Sequence, residues 1–280
     1  MKHKIALKPL LTKNEGLVLH ASPQIRFSRN IHLGFRNELR KQDKAAKTVL
    51  PGVSVVCCSN RPGNMDMVFN NYLRQTHLPR EMIIILNNNS MNLQLWQEKA
   101  SRYPEISVFQ LDEAQTLGEC LNFAIERSRF DYIAKFDDDD YYGKPYLASS
   151  ILALCLRNAG IAGKCSIYVY LVNKGDLLLL SPGNENCFVD SVRGATLLFK
   201  KDIWQRLRFQ EQNVGEDTSF LTDSKTNGIA IFSADRFNYV NIRQNASEHT
   251  WQLDEDEYLR AFNSFQFITR TENYLPFISK

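Results

Sequence analysis

Four short apolar runs follow one another between residues 53 and 137, and a segment of helical period separates each from the next. The runs are 53–58, 82–86, 106–109 and 132–136. The first is nearly continuous in Val and Cys, which suits a strand covered on both faces, and the others read as strands of the same sheet. Met65, Val68, Phe69, Tyr72 and Leu73 mark the first intervening helix, and Leu93, Trp96, Ala100 and Tyr103 the second. Leu117, Leu121, Ala124 and Ile125 mark the third, with Thr116 and Glu119 spaced as a capping box ahead of it. This alternation argues for an α/β fold with a mostly parallel, doubly wound central sheet. In such sheets ligands bind outside the carboxyl ends of the strands.

Three polar clusters fall at those ends: Ser59 to Arg61, Asn87 to Ser90, and Asp137, Asp138, Asp139 and Asp140. Four adjacent carboxylates repel one another and raise each other's pKa unless a cation sits among them. Mg²⁺ or Mn²⁺ suits an all-oxygen donor set with positions left for phosphate. The alternative is a solvated acidic turn. No G-x-G-x-x-G follows the first strand and no G-x-x-x-x-G-K-[ST] occurs anywhere, so dinucleotide and P-loop sites lose their support.

The second half reads as a smaller, mixed region. A helix starts at Lys144 and Pro145, and 167–171 with 177–180 form a hairpin across Lys174, Gly175 and Asp176. Gly194 and Ala195 precede another strand, and Ile203, Trp204 and Leu207 indicate a short helix. Gly215, Glu216 and Asp217 open a further helix, where the acids either cap its dipole or perform chemistry. Strands at 229–233 and 238–242 lead to Arg243, His249 and Trp251, and a terminal helix runs through Leu259, Phe262 and Phe265. The expected organisation is a basic extension over 1–50, the main domain over 51–250 and a helical extension over 251–280.

With 280 residues, 44% of them hydrophobic, the chain can bury a full core. No apolar run reaches the length of a membrane span, no secretion signal is found, and the six cysteines form no C-x-x-C; these features lead us to expect reduced thiols in the cytoplasm. Residues 2–48 hold 11 Lys and Arg against 3 Asp and Glu. That charge suits peripheral contact with the inner face of a membrane, a polyanionic acceptor or a solvated arm. Nucleic acid is not expected as a partner, since no zinc spacing, recognition helix or aromatic interleaving accompanies the charge.

Five pieces in order, VSVVCCSNRP (53–62), QTHLPREMIIILNNNS (75–90), YIAKFDDDD (132–140), GATLLFKKDIW (194–204) and GEDTSF (215–220), resemble the family 2 glycosyltransferases, which have the GT-A fold. The resemblance implies a metal-dependent, inverting, non-processive transfer from a nucleoside-diphosphate sugar to an acceptor hydroxyl. It places the nucleotide at Ser59, Asn60, Arg61, Asn88 and Asp137. It places Mn²⁺ or Mg²⁺ on Asp137 and Asp139, with His249 as a further candidate ligand. By the same resemblance Asp217 is the general base and Glu216 its companion, while Asp138, Asp140, Gly194, Ala195, Arg243 and Trp251 are candidate donor or acceptor contacts. The family commonly has two aspartates where this chain has Asn87 and Asn88, so a UDP-sugar is favoured with the base left open. The implied acceptor is a glycan, a lipid-linked sugar or a protein. Alternatives are a sugar-phosphate nucleotidyltransferase and a noncatalytic binding protein of the same fold.

Overall fold

The computed structural model describes residues 50–244 and 264–279. The basic segment up to residue 49, His249, Trp251 and the first part of the expected terminal helix lie outside the described residues.

The order of elements is β1 (Val53–Ser59), α1 (Met65–Leu73), β2 (Arg80–Leu86), α2 (Leu93–Ala100), β3 (Ile106–Gln110), α3 (Leu117–Glu126) and β4 (Tyr132–Asp137). Then come β5 (Tyr141–Tyr142), α4 (Tyr146–Arg157), β6 (Ile161–Gly163), β7 (Ile167–Leu171), β8 (Asp176–Leu180) and β9 (Cys187–Phe188). The described chain ends with β10 (Leu198–Lys200), α5 (Lys201–Arg206), α6 (Glu216–Thr226), β11 (Ile231–Ser233), β12 (Tyr239–Arg243), β13 (Phe265–Arg270) and α7 (Leu275–Ile278).

One sheet of eight strands has the order β3-β2-β1-β4-β10-β6-β11-β9. Its first four strands are parallel, and β10 enters antiparallel between β4 and β6. Alternation along the strands divides the core as the apolar runs require. Val53, Val55 and Cys57 of β1 share one face with Ile84 of β2 and Phe136 of β4, packed with Phe69, Trp96 and Ile151 of α1, α2 and α4. Val56, Ile83 and Ile133 share the other face, packed with Leu121, Trp204 and Phe220 of α3, α5 and α6. Helices therefore cover both faces. The capping box forms: the Glu119 carboxylate accepts from Thr116 N at 2.6 Å and Thr116 Oγ1 caps Glu119 N.

A second, mixed sheet has the order β13-β8-β7-β12-β5. The 167–180 hairpin forms as β7 and β8, and β12 lies parallel to β7. One expectation is corrected here. Phe265 does not continue a helix; it begins β13, antiparallel to β8. The spacing of Leu259, Phe262 and Phe265 matches a helix, but Phe265, Phe267 and Thr269 also alternate as a strand, and backbone pairing with β8 decides between them. Among the described residues, no helix is long and apolar enough to cross a membrane.

Candidate active site

Register brings the polar clusters side by side. Cys58 of β1 lies opposite Asp137 of β4, and Ser59 lies opposite Leu86 of β2. The loops after all three strands thus leave the sheet at one end.

Asp137, Asp139 and Asp140 present carboxylate oxygens within 4.8 Å of one another. Their surroundings differ. Asp140 is fully buried; its Oδ2 accepts from the Tyr239 hydroxyl at 2.5 Å, and its Oδ1 accepts from Asn241 Nδ2 at 2.8 Å and Ile242 N at 3.1 Å. A carboxylate has about four acceptor positions, so Asp140 is largely used in joining the acidic loop to β12. Burial, with the charges of Asp139 and Asp137, pushes its pKa well above the usual carboxylate range. Asp137 and Asp139 are half-buried. Two such carboxylates fit a hard divalent cation that takes oxygen ligands and shares its sphere with a diphosphate.

Lys135 is the unexpected member. It shares with Ile133 and Asp137 the face of β4 turned toward α3 and α6, and it is buried. Its Nζ donates to Asp137 Oδ1 at 2.6 Å and stands 4.0 Å from Glu216 Oε1. Burial alone would lower the ammonium's pKa, but Asp137, Glu216 and Asp217 outweigh it and hold the pKa above its ordinary value. Glu216 is also buried, and desolvation with the charge of Asp217 raises its carboxyl to about 7 against the pull of Lys135.

Gly215 has φ +86°, a left-handed conformation that glycine adopts without strain, and it turns the chain so that Glu216 and Asp217 open α6. Asp217 Oδ1 accepts from Thr218 N at 2.6 Å. Its other oxygen lies against Gly194, where a Cβ would overlap the carboxylate. The turn Gly194–Thr196 is held in turn by Tyr142, whose hydroxyl donates to Ala195 O at 2.7 Å and accepts from Asp137 N at 2.8 Å. Tyr142 stacks on Phe136 with ring centroids 3.8 Å apart. Gly194, Ala195, Asp137, Glu216 and Asp217 therefore belong to one constellation.

On the β1 side, Ser59 Oγ donates to Asp138 at 2.5 Å, and Arg61 pairs with Asp138 and approaches Asp139 Oδ2 at 3.4 Å. Asp138 is buried, and desolvation followed by Asp139 raises its pKa to about 6 despite Arg61 and Ser59. Asn60 is exposed and its carbonyl accepts from Asn88 Nδ2 at 2.9 Å. Asn88 Oδ1 accepts from Ser90 N and Ser90 Oγ at 2.8 and 2.7 Å, so the carboxamide is engaged in its own loop. Arg243 is buried at the end of β12, two residues beyond Asn241. Lys135 and Tyr142 carry no recognisable motif; a lysine inside an otherwise apolar central strand was the available signal for the first.

The model of the family described as glycosyl transferase family 2 matches residues 54–213. The chain belongs to glycosyl transferase family 2. Among solved structures, this family 2 chain is similar to S. aureus TarS 1-349 in complex with UDP-GlcNAc, with 17% identity and a TM-score of 0.57 over 75% of this chain and 64% of that one. It is likewise similar to TarS 1-349 without a named ligand (17% identity, TM-score 0.54, 68% and 60% covered) and in complex with UDP (16%, 0.53, 71% and 62%). At these identities the likeness is one of fold, and this chain spans under two thirds of the TarS 1-349 length. No curated protein sequence matches it.

Proposed function

We propose that this chain catalyses metal-dependent, inverting transfer of a sugar from a nucleoside-diphosphate sugar to an acceptor hydroxyl on a GT-A core. The observation that carries the reading is the joining of the acidic loop after β4 to the Glu216–Asp217 turn through the Lys135 ammonium. Asp137 and Asp139 would hold Mn²⁺ or Mg²⁺, which when bound neutralises charge on the departing diphosphate. Asp217 takes the proton of the acceptor hydroxyl; that oxygen forms the new bond to the anomeric carbon while the bond to the diphosphate oxygen breaks and its electron pair leaves with the nucleotide. A single displacement inverts the anomeric centre. Gly194 leaves room for the carboxylate at that position.

A UDP-sugar is the favoured donor, a choice supported by the UDP-GlcNAc complex of the similar TarS fold. The acceptor is a glycan, a lipid-linked sugar or a protein. The test is product analysis with a panel of nucleotide sugars, with and without Mn²⁺. Metal-dependent release of nucleoside diphosphate, abolished in Asp217→Ala while nucleotide affinity persists, is expected. Pyrophosphate as product would replace the reading with nucleotidyl transfer, and unchanged turnover in a folded Asp217→Ala would remove Asp217 as base.

A further inference from the structure

Lys135 reaches three parts of the site, two through its ammonium and one through its backbone N–H. Its side chain donates to Asp137 Oδ1 at 2.6 Å, its backbone N–H donates to Leu197 O at 2.9 Å at the end of the Gly194–Thr196 turn, and its ammonium lies 4.0 Å from Glu216 Oε1. The two side-chain approaches are unequal. One is a short charge-assisted hydrogen bond; the other is an ion pair at the outer limit of contact. An ammonium has three donors and sits here between carboxylates on two separate elements, β4 and α6.

We propose that Lys135 is a positioning residue that couples cation occupancy at Asp137 to the placement of the Glu216–Asp217 turn. The inference rests on the reading that Asp137 and Asp139 hold a divalent cation. As Asp137 turns its charge to a cation, its hold on the ammonium weakens, and Lys135 gains by closing on Glu216. Closing fixes the first turn of α6, which carries Asp217, where its carboxylate already lies against Gly194. The coupling is reciprocal: whatever weakens the Lys135–Glu216 approach returns the ammonium to Asp137 and weakens cation binding. Glu216 thus acts on the cation through Lys135. A lysine that merely filled space would leave the two carboxylates independent.

The test is a double-mutant cycle on Mn²⁺ binding by the full chain, with Mn²⁺ alone as probe and electron paramagnetic resonance as readout. Lys135→Met is expected to tighten Mn²⁺ binding, because Asp137 loses a competing cation. Glu216→Gln is expected to weaken it about fivefold, the lower end of typical coupling, and to change it less than about twofold once Lys135→Met is present. Additive effects would overturn the proposal while leaving the cation reading intact. Wild-type binding that is absent, or unaffected by Asp139→Asn, would refute the cation reading and the coupling with it. Should Lys135→Met fail to fold, amide hydrogen exchange decides the matter: Mn²⁺ is expected to slow exchange over residues 216–219 in the wild type and not in Glu216→Gln. Equal slowing in both would overturn the coupling.

Discussion

Asp140 separates two meanings of a buried acidic cluster. It lies with Asp137 and Asp139 as a third carboxylate, yet it accepts from Tyr239, Asn241 and the backbone of Ile242, all on β12. Asp140→Ala removes the acceptor of those three donors, two of which, on Tyr239 and Ile242, are buried. Each costs roughly 1–3 kcal/mol, partly offset because the repulsion from Asp139 and Asp137 disappears, so we expect a net loss of about 4 kcal/mol. For a domain of this size that corresponds to a fall in Tm of roughly 10 °C. Asp140→Asn keeps one oxygen for the two N–H donors and is expected to cost about 1 kcal/mol. Thermal unfolding of the apo protein measures both. In parallel, Mn²⁺ affinity should change less than about twofold in Asp140→Asn, whereas Asp139→Asn should lose more than about tenfold. A folded Asp140→Asn of near wild-type Tm that loses Mn²⁺ as Asp139→Asn does would refute the reasoning and make Asp140 a ligand.

Other predictions concern pH, space and charge. Glu216 has a folded-state pKa of about 7 against an ordinary 4.5, so the folded form holds the proton more tightly; the associated stability is present below about 4.5 and lost as pH rises through about 7. The full loss is about 3 kcal/mol, and Glu216→Gln should flatten that part of the pH dependence in urea titrations of the apo protein. Gly194→Ala places a methyl group on the Asp217 carboxylate and should lower kcat at least about tenfold while changing nucleotide affinity little; equal kinetics would show that Asp217 is placed elsewhere during turnover. Arg61→Met removes the cation paired with buried Asp138 and should cost about 2 kcal/mol of stability by thermal unfolding; Arg61→Met with Asp138→Asn should recover most of it.

The strands and helices of the first half were legible because their signals are local. The runs at 53–58 and 82–86 announce buried parallel strands by composition, and Thr116 with Glu119, three positions apart, announces a helix start. The acidic cluster of Asp137 and Asp139 was legible because four acids in succession at a strand end are conspicuous, and the helix start at Glu216 and Asp217 because Gly215 precedes it; the role expected of Asp217 came only with the family resemblance. Phe265 shows the limit: the same residues fit a helix and a strand, and only the edge of β8 selects between them.

The sequence by itself determined the mostly parallel arrangement of the first four strands and the end of the sheet where the polar loops gather, since periodicity and the alternation of strands with helices follow from neighbouring residues; the order of the strands in the sheet came from packing. Tertiary structure alone decided what each acid does. Asp140 meets Tyr239 from 99 residues away, Asp138 meets Ser59 from 79 away, and Lys135 in β4 meets Glu216 in α6. A carboxylate's role is set by its partners and its solvation, and both arise only when distant elements pack.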